Sequence, residues 1–136
     1  MADKSQTATA VIPGSNARRK TVTLAEAVTA GQPGYLTTSG TAGLADANVL
    51  AKAVVAGYFE QGGAPGQKVN LISEDDDATL GITTAIGDIL ILSATPGAIA
   101  PAADAVAGMY VTVLGVAKST TKVNFKPLAS GAPIAA

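Results

Sequence analysis

The chain has 136 residues, a formal net charge of -1, 48% hydrophobic residues but only 4% aromatics, and no histidine, cysteine or tryptophan. Without imidazoles or thiols a single chain cannot build the usual zinc sites, Ser-His-Asp triads or Cys-His dyads, so neither a metal nor another cofactor is expected. A near-neutral charge gives no strong field to draw nucleic acid or an anionic membrane, so neither is expected as a partner.

The length suits one domain, and because much of the apolar content is alanine, each buried side chain removes little area from water. The predicted core is therefore thin, and association with copies of the same chain is expected to bury what one copy leaves exposed. The absence of cysteine fits synthesis in a reducing cytoplasm. The first residues lack an apolar segment behind a basic start, and no run of about 18 uninterrupted apolar residues follows, so neither export nor membrane insertion is expected.

In chain order, residues 1–20 are small and polar, are broken by Pro13 and Gly14, and end in Arg18, Arg19 and Lys20. They read as an extended N-terminal arm, mobile when alone, ahead of a single β domain over residues 21–131 and a flexible tail over 132–136. Residues 21–28, TVTLAEAV, fit either a strand with Val22, Leu24 and Val28 on one face or a short helix capped by Thr23; both remain open. YLTTSGTAGLA reads as strand, turn, strand, with Gly40 and Gly43 in turn conformations. In the next segment residues 46–53 would suit a helical turn, whereas Val54, Val55, Tyr58 and Phe59 favour a strand. QGGAPGQ is a turn, and KVNLIS is the return strand of a hairpin.

ILIL at residues 89–92 is an apolar run of strand length, predicted to be buried on both faces and paired with AIAP. GMYVTVLGVA is the clearest strand of the chain. KVNFKPL is predicted to bury Val123 and Phe125 while Lys122, Asn124 and Lys126 meet solvent. Short strands with frequent turns place the chain in the all-β class, as a small barrel or sandwich. Gly31, Tyr35, Leu36, Thr37 and Leu44 are echoed by Gly87, Ile91, Leu92, Ser93 and Ile99, which fits either a repeated strand-turn-strand unit or a chance likeness between β segments.

The apparent motifs have plain readings. GGAPGQK lacks the spacing of a phosphate loop and has Val69 where a magnesium-binding hydroxyl would stand. EDDD at residues 74–77 has no calcium-loop spacing and reads as a solvated acidic loop. Asp88 and Asp104 stand beside Gly and Pro and read as turn residues rather than a glycosidase pair.

The run GDILILSATPGAIAPAADAVAGMYVTVLGVAKSTTKVNFKPLASG, with the earlier VTAGQPGYLT and AVVAGYFEQGGAPGQKVNLI, resembles the small head decoration, or cement, proteins of tailed bacteriophages. The resemblance spans about residues 21–131 and leaves the arm and the tail uncovered. It implies a non-enzymatic virion protein, made in the host cytoplasm, that binds the outer surface of the head as a homotrimer and bridges subunits of the major capsid protein. On that reading Arg18, Arg19, Lys20, Val22 and Leu24 are candidates for the capsid contact. Ile89, Ile91, Tyr110 and Val113 are candidates for contact between copies. The alternative is a carbohydrate-binding or host-attachment module, which would favour exposed aromatic platforms.

Overall fold

The structure is a computed structural model that describes residues 3–134. It is all-β: an antiparallel sheet curls into a half-barrel, with 46% of the residues in strands. The strands are β1 (Val11–Ile12), β2 (Arg18–Thr23), β3 (Pro33–Leu36), β4 (Ala42–Leu44), β5 (Gly57–Phe59), β6 (Lys68–Leu80), β7 (Ile89–Leu92), β8 (Ile99–Pro101), β9 (Tyr110–Ala117) and β10 (Lys122–Pro133). One helical turn, α1 (Leu50–Ala53), precedes β5. The main path runs β4-β3-β5-β6-β10-β9-β7-β8, while β1 and β2 pair with β6 outside it.

The thirteen residues of β6 are the spine of the molecule. Near its start Ile72 lies between Arg19 of β2 and Tyr58 of β5, and near its end Thr79 lies between Ile12 of β1 and Lys122 of β10. The ends of the path also meet. The Ala47 amide donates to the Ser93 carbonyl at 3.1 Å, and the Gly97 amide to the Ala45 carbonyl at 2.8 Å, tying the chain after β4 to the β7–β8 turn. The curl follows from this closure, because a twisted sheet that bonds its two ends cannot lie flat.

Alternation along β5 and β6 divides the core in two. Side chains of successive strand residues point to opposite faces. Tyr58 and Ile72 accordingly enter a large cluster with Leu80, Leu90, Leu92, Leu114, Val123 and Phe125. Phe59 and Leu71 enter a smaller one with Val22, Leu24, Val28 and Val69. The core is thus divided into two clusters that share one strand pair.

The echoed residues lie in two hairpins, β3–β4 and β7–β8. Gly31 and Gly87 precede them with φ of 87° and 89°, a left-handed conformation that a Cβ disfavours, so glycine recurs at both starts. The echo extends further than the phrase. Each hairpin is followed by a short helical segment, α1 or the 3-10 turn Ala102–Asp104, and then by a tyrosine-bearing strand, β5 or β9. Each set closes with a strand opening Lys-Val-Asn, at Lys68 in β6 and Lys122 in β10. Path order within the halves is mirrored, β4-β3-β5-β6 against β10-β9-β7-β8, so two like units meet where β6 pairs antiparallel with β10.

Several expectations need correction. Residues 8–20 are not a free arm: a 3-10 turn at Ala8–Ala10 leads into β1, and the expected boundary at residue 20 falls inside β2. The physical reason is that β6 offers open edges, which polar extended chain satisfies with backbone hydrogen bonds that do not depend on side chains. Residues 21–28 form no helix; Leu24 instead bridges Ala42. EDDD is not a loop but the middle of β6. The expected tail over residues 132–136 begins inside β10, and Ile134 packs on the larger core; residues 135 and 136 lie outside the described residues.

Candidate functional site

Three surfaces hold the chain's chemistry. The first is the cationic end of β2. Arg18, Arg19 and Lys20 are exposed there, as a surface contact requires, yet Arg19 is already held by Glu60, with Nε 2.8 Å from Oε1. Arg18 lies 3.8 Å from Glu74, a looser pair of the kind that contributes about 0–1 kcal/mol. Val22 and Leu24 do not belong to this surface. Both are buried in the smaller cluster, so the apolar face that the sequence offered for capsid contact is core.

The second surface spans β7, β9 and β10. Ile89 stands opposite Val116, and Val113 opposite Leu128. Ile89 is 47% exposed and Leu128 72%, with Ile86 and Val116 also in solvent. Ile91, one of the four candidates for subunit contact, is 2% exposed and belongs to the larger core, so it has no free surface to offer. Tyr110 and Val113 are partly buried against the same core. The periodicity could not separate Ile89 from Ile91, because both stand in one apolar run and only the neighbouring elements decide which is covered.

The third surface is an open polar cleft of about 400 Å³ where β2 and β10 diverge from β6, lined by residues including Asn16, Arg18, Glu74, Asp76 and Lys126. At its floor lies Asp75, the buried member of the acidic run, 1% exposed. Its Oδ2 accepts from the Tyr58 hydroxyl at 2.7 Å and the Gly14 amide at 2.8 Å, and its Oδ1 from the Asp77 amide at 3.1 Å. Tyr58 meets Phe125 edge to face with ring centroids 4.9 Å apart. The carboxylate thus joins β5, β6 and the β1–β2 connection through three donors. Sequence reasoning missed it, since nothing in EDDD distinguishes the inward aspartate from its neighbours.

The other two aspartates of the run turn outward. Asp77 sits 3.3 Å from Lys122 Nζ and 3.3 Å from Lys118 Nζ, and these lysines hold its carboxyl below the usual carboxylate range. That stabilisation is present above about pH 4 and fades as pH falls through the lowered value. Burial, reinforced by the hydrogen bond to Asp75, pushes the Tyr58 hydroxyl far above the ordinary phenol range. Stability from this group is complete below about pH 10 and declines as pH rises further, because only the unfolded chain releases the proton readily. An alkaline titration followed by phenolate absorbance and circular dichroism should therefore show one tyrosine ionising only together with unfolding. Three phenols ionising while the fold persists would contradict the geometry.

The glycine-rich turn and Asp88 hold their plain readings, whereas Asp104 lies in the 3-10 turn Ala102–Asp104 with its buried Oδ1 bonded to no protein donor among the described residues. QGGAPGQ connects β5 to β6, and Asp88 accepts the Ala85 amide at 2.9 Å within its own turn. Among the described residues no group of three or more acidic side chains is placed to hold a metal ion. Tyr58, Phe59 and Phe125 are buried, which leaves Tyr35 and Tyr110, both partly buried, as the aromatics near the surface. No protein-family model matches the chain, and no curated protein matches it in sequence.

Proposed function

We propose that this chain is a structural virion protein, a decoration or cement protein that docks on the outer surface of a tailed-phage head, binds the major capsid protein and associates with copies of itself as a trimer. The observation that carries the reading is the set of exposed apolar side chains on β7, β9 and β10: Ile89 opposite Val116, and Leu128 opposite the half-buried Val113. A sheet that leaves neighbouring large apolar side chains such as Ile89, Val116 and Leu128 in solvent gains from being covered by protein. The exposed cations of β2 supply a second, polar contact suited to an acidic protein surface, and the resemblance in sequence points to the same class of protein. Contact between copies is assigned to Ile89 and Val113 with their partners Val116 and Leu128, and contact with the shell to Arg18 and Lys20.

Co-sedimentation with expanded heads, assembled from the major capsid protein encoded with this chain, tests the reading. The wild-type chain should pellet with heads at a fixed stoichiometry. A variant carrying Arg18→Glu and Lys20→Glu should fold normally, since both positions are exposed, yet bind at least tenfold more weakly. Failure of the wild-type chain to bind would overturn the function. Undiminished binding by the variant would overturn the assignment of the shell contact to β2.

A further inference from the structure

The N-terminal segment is bound to its own domain in an unusual way. Residues 3–12 contain no buried side chain, and of them only Val11 packs, partly, on the larger core. What holds them is a ladder of polar bonds. The Lys4 amide donates to the Ile99 carbonyl at the edge of β8, the Thr7 amide to the Gly81 carbonyl, both at 2.8 Å, and the Gln6 side-chain amide to the Gly31 carbonyl at 2.9 Å. Val11 and Ile12 then pair with Leu80 and Thr79 of β6. Gly81 has a φ of 73°, and a Cβ there would collide with the Thr7 backbone, so the groove is shaped to this segment.

Immediately beyond the ladder the chain is pinned. Pro13 fixes its own φ, and the Gly14 amide is bonded to the buried Asp75 carboxylate. Residues 3–12 can therefore leave the domain at the loss of a single partly buried apolar contact, that of Val11 with the larger core, while β2 and the rest of the sheet stay anchored behind Asp75.

We infer that residues 3–12 form an exchangeable strand whose groove, made by the β8 edge, Gly81, Gly31 and the end of β6, accepts the same segment from a second copy of this chain. The occupant follows from complementarity. The groove presents the Ile99, Gly81 and Gly31 carbonyls at the spacing of donors at positions 4, 7 and 6, and the identical segment of another copy offers that pattern with no new contact to form. Because the swapped and closed forms make the same bonds, mass action decides between them. A segment on a short tether experiences an effective concentration in the millimolar range, so the closed form dominates in dilute solution and exchange grows as copies crowd together. Passed from each copy to the next around a ring, the strand would tie neighbours head to tail. The inference goes beyond the decoration reading and needs no shell.

The chain has no cysteine, so an engineered pair reports cleanly. Ile12 and Thr79 are direct partners across β1 and β6, a separation a disulfide can span. Ile12→Cys and Thr79→Cys are placed in separate chains of different tag length, each checked for the native circular dichroism spectrum, then mixed, concentrated and oxidised. Exchange predicts that the mixed disulfide dimer exceeds both homodimers several-fold, and that its share rises with concentration. Random collision ratios, or no cross-linked product while a chain carrying both substitutions closes its own disulfide, would overturn the inference. Neither result depends on head binding, so the proposed function is tested separately.

Discussion

Asp75→Ala should lower the stability of the domain by about 3–5 kcal/mol, read as an earlier urea midpoint at unchanged slope. The expectation rests on the number of donors that one side chain serves. Removing the carboxylate leaves the buried Tyr58 hydroxyl and the half-buried Gly14 and Asp77 amides without their acceptor. An unsatisfied buried donor costs about 1–3 kcal/mol, and the Tyr58 hydroxyl together with smaller losses at the two half-buried amides is a large share of a small domain's total of about 5–15 kcal/mol. Tyr58→Phe removes only one donor and leaves Asp75 bonded to the two amides, so its cost should be clearly smaller. A loss under about 1 kcal/mol for Asp75→Ala would mean that the junction of β5, β6 and the β1–β2 connection is held by something else.

Phe125→Ala should cost a similar amount, about 3–5 kcal/mol, by a different route. Phe125 is fully buried in the larger cluster, pairs with Gly115 of β9 and Asp75 of β6, and stacks edge to face on Tyr58. In a chain with two phenylalanines and three tyrosines, no neighbouring aromatic can move in to fill the cavity. The two losses should not add, because Tyr58 touches both residues. A double variant should be less destabilised than the sum of the single ones, and strict additivity in denaturant unfolding would show that the stack and the carboxylate act independently.

Much of the sheet was legible in the sequence. ILIL, KVNLIS, GMYVTVLGVA and KVNFKPL each carried period-two or continuous apolar content between turn residues, and each lies in a strand. Such signals are local, because a strand's two faces are written in alternate residues. Val123 and Phe125 face inward while Asn124 and Lys126 face water, as that alternation requires. The hairpin phrase was also readable, but its extension through Lys68-Val69-Asn70 and Lys122-Val123-Asn124 became convincing only when the mirrored strand order put equivalent strands side by side.

The candidate surfaces were much less legible. Val22 and Leu24 looked like an apolar face looking for a partner, and they have one inside the molecule, since β2 lies along β6 above the smaller core. Residues 1–20 looked unstructured because their composition is small and polar, and residues 3–20 indeed bury no side chain. Much of the backbone of residues 3–20 is nonetheless bonded to the edges of β6 and β8, and composition carries no record of backbone bonding.

The sequence by itself determined the class of the fold, the places of most strands and turns and the absence of imidazole and thiol side chains. These follow from residue identity and from spacing within a few positions. Only the tertiary structure decided which of Ile89 and Ile91 meets water, which aspartate of a run of four acidic residues is buried, and where the N-terminal segment lies. Those outcomes depend on which distant strand covers a given face or edge, and in this molecule they depend chiefly on β6, whose two ends pair with different partners on both sides.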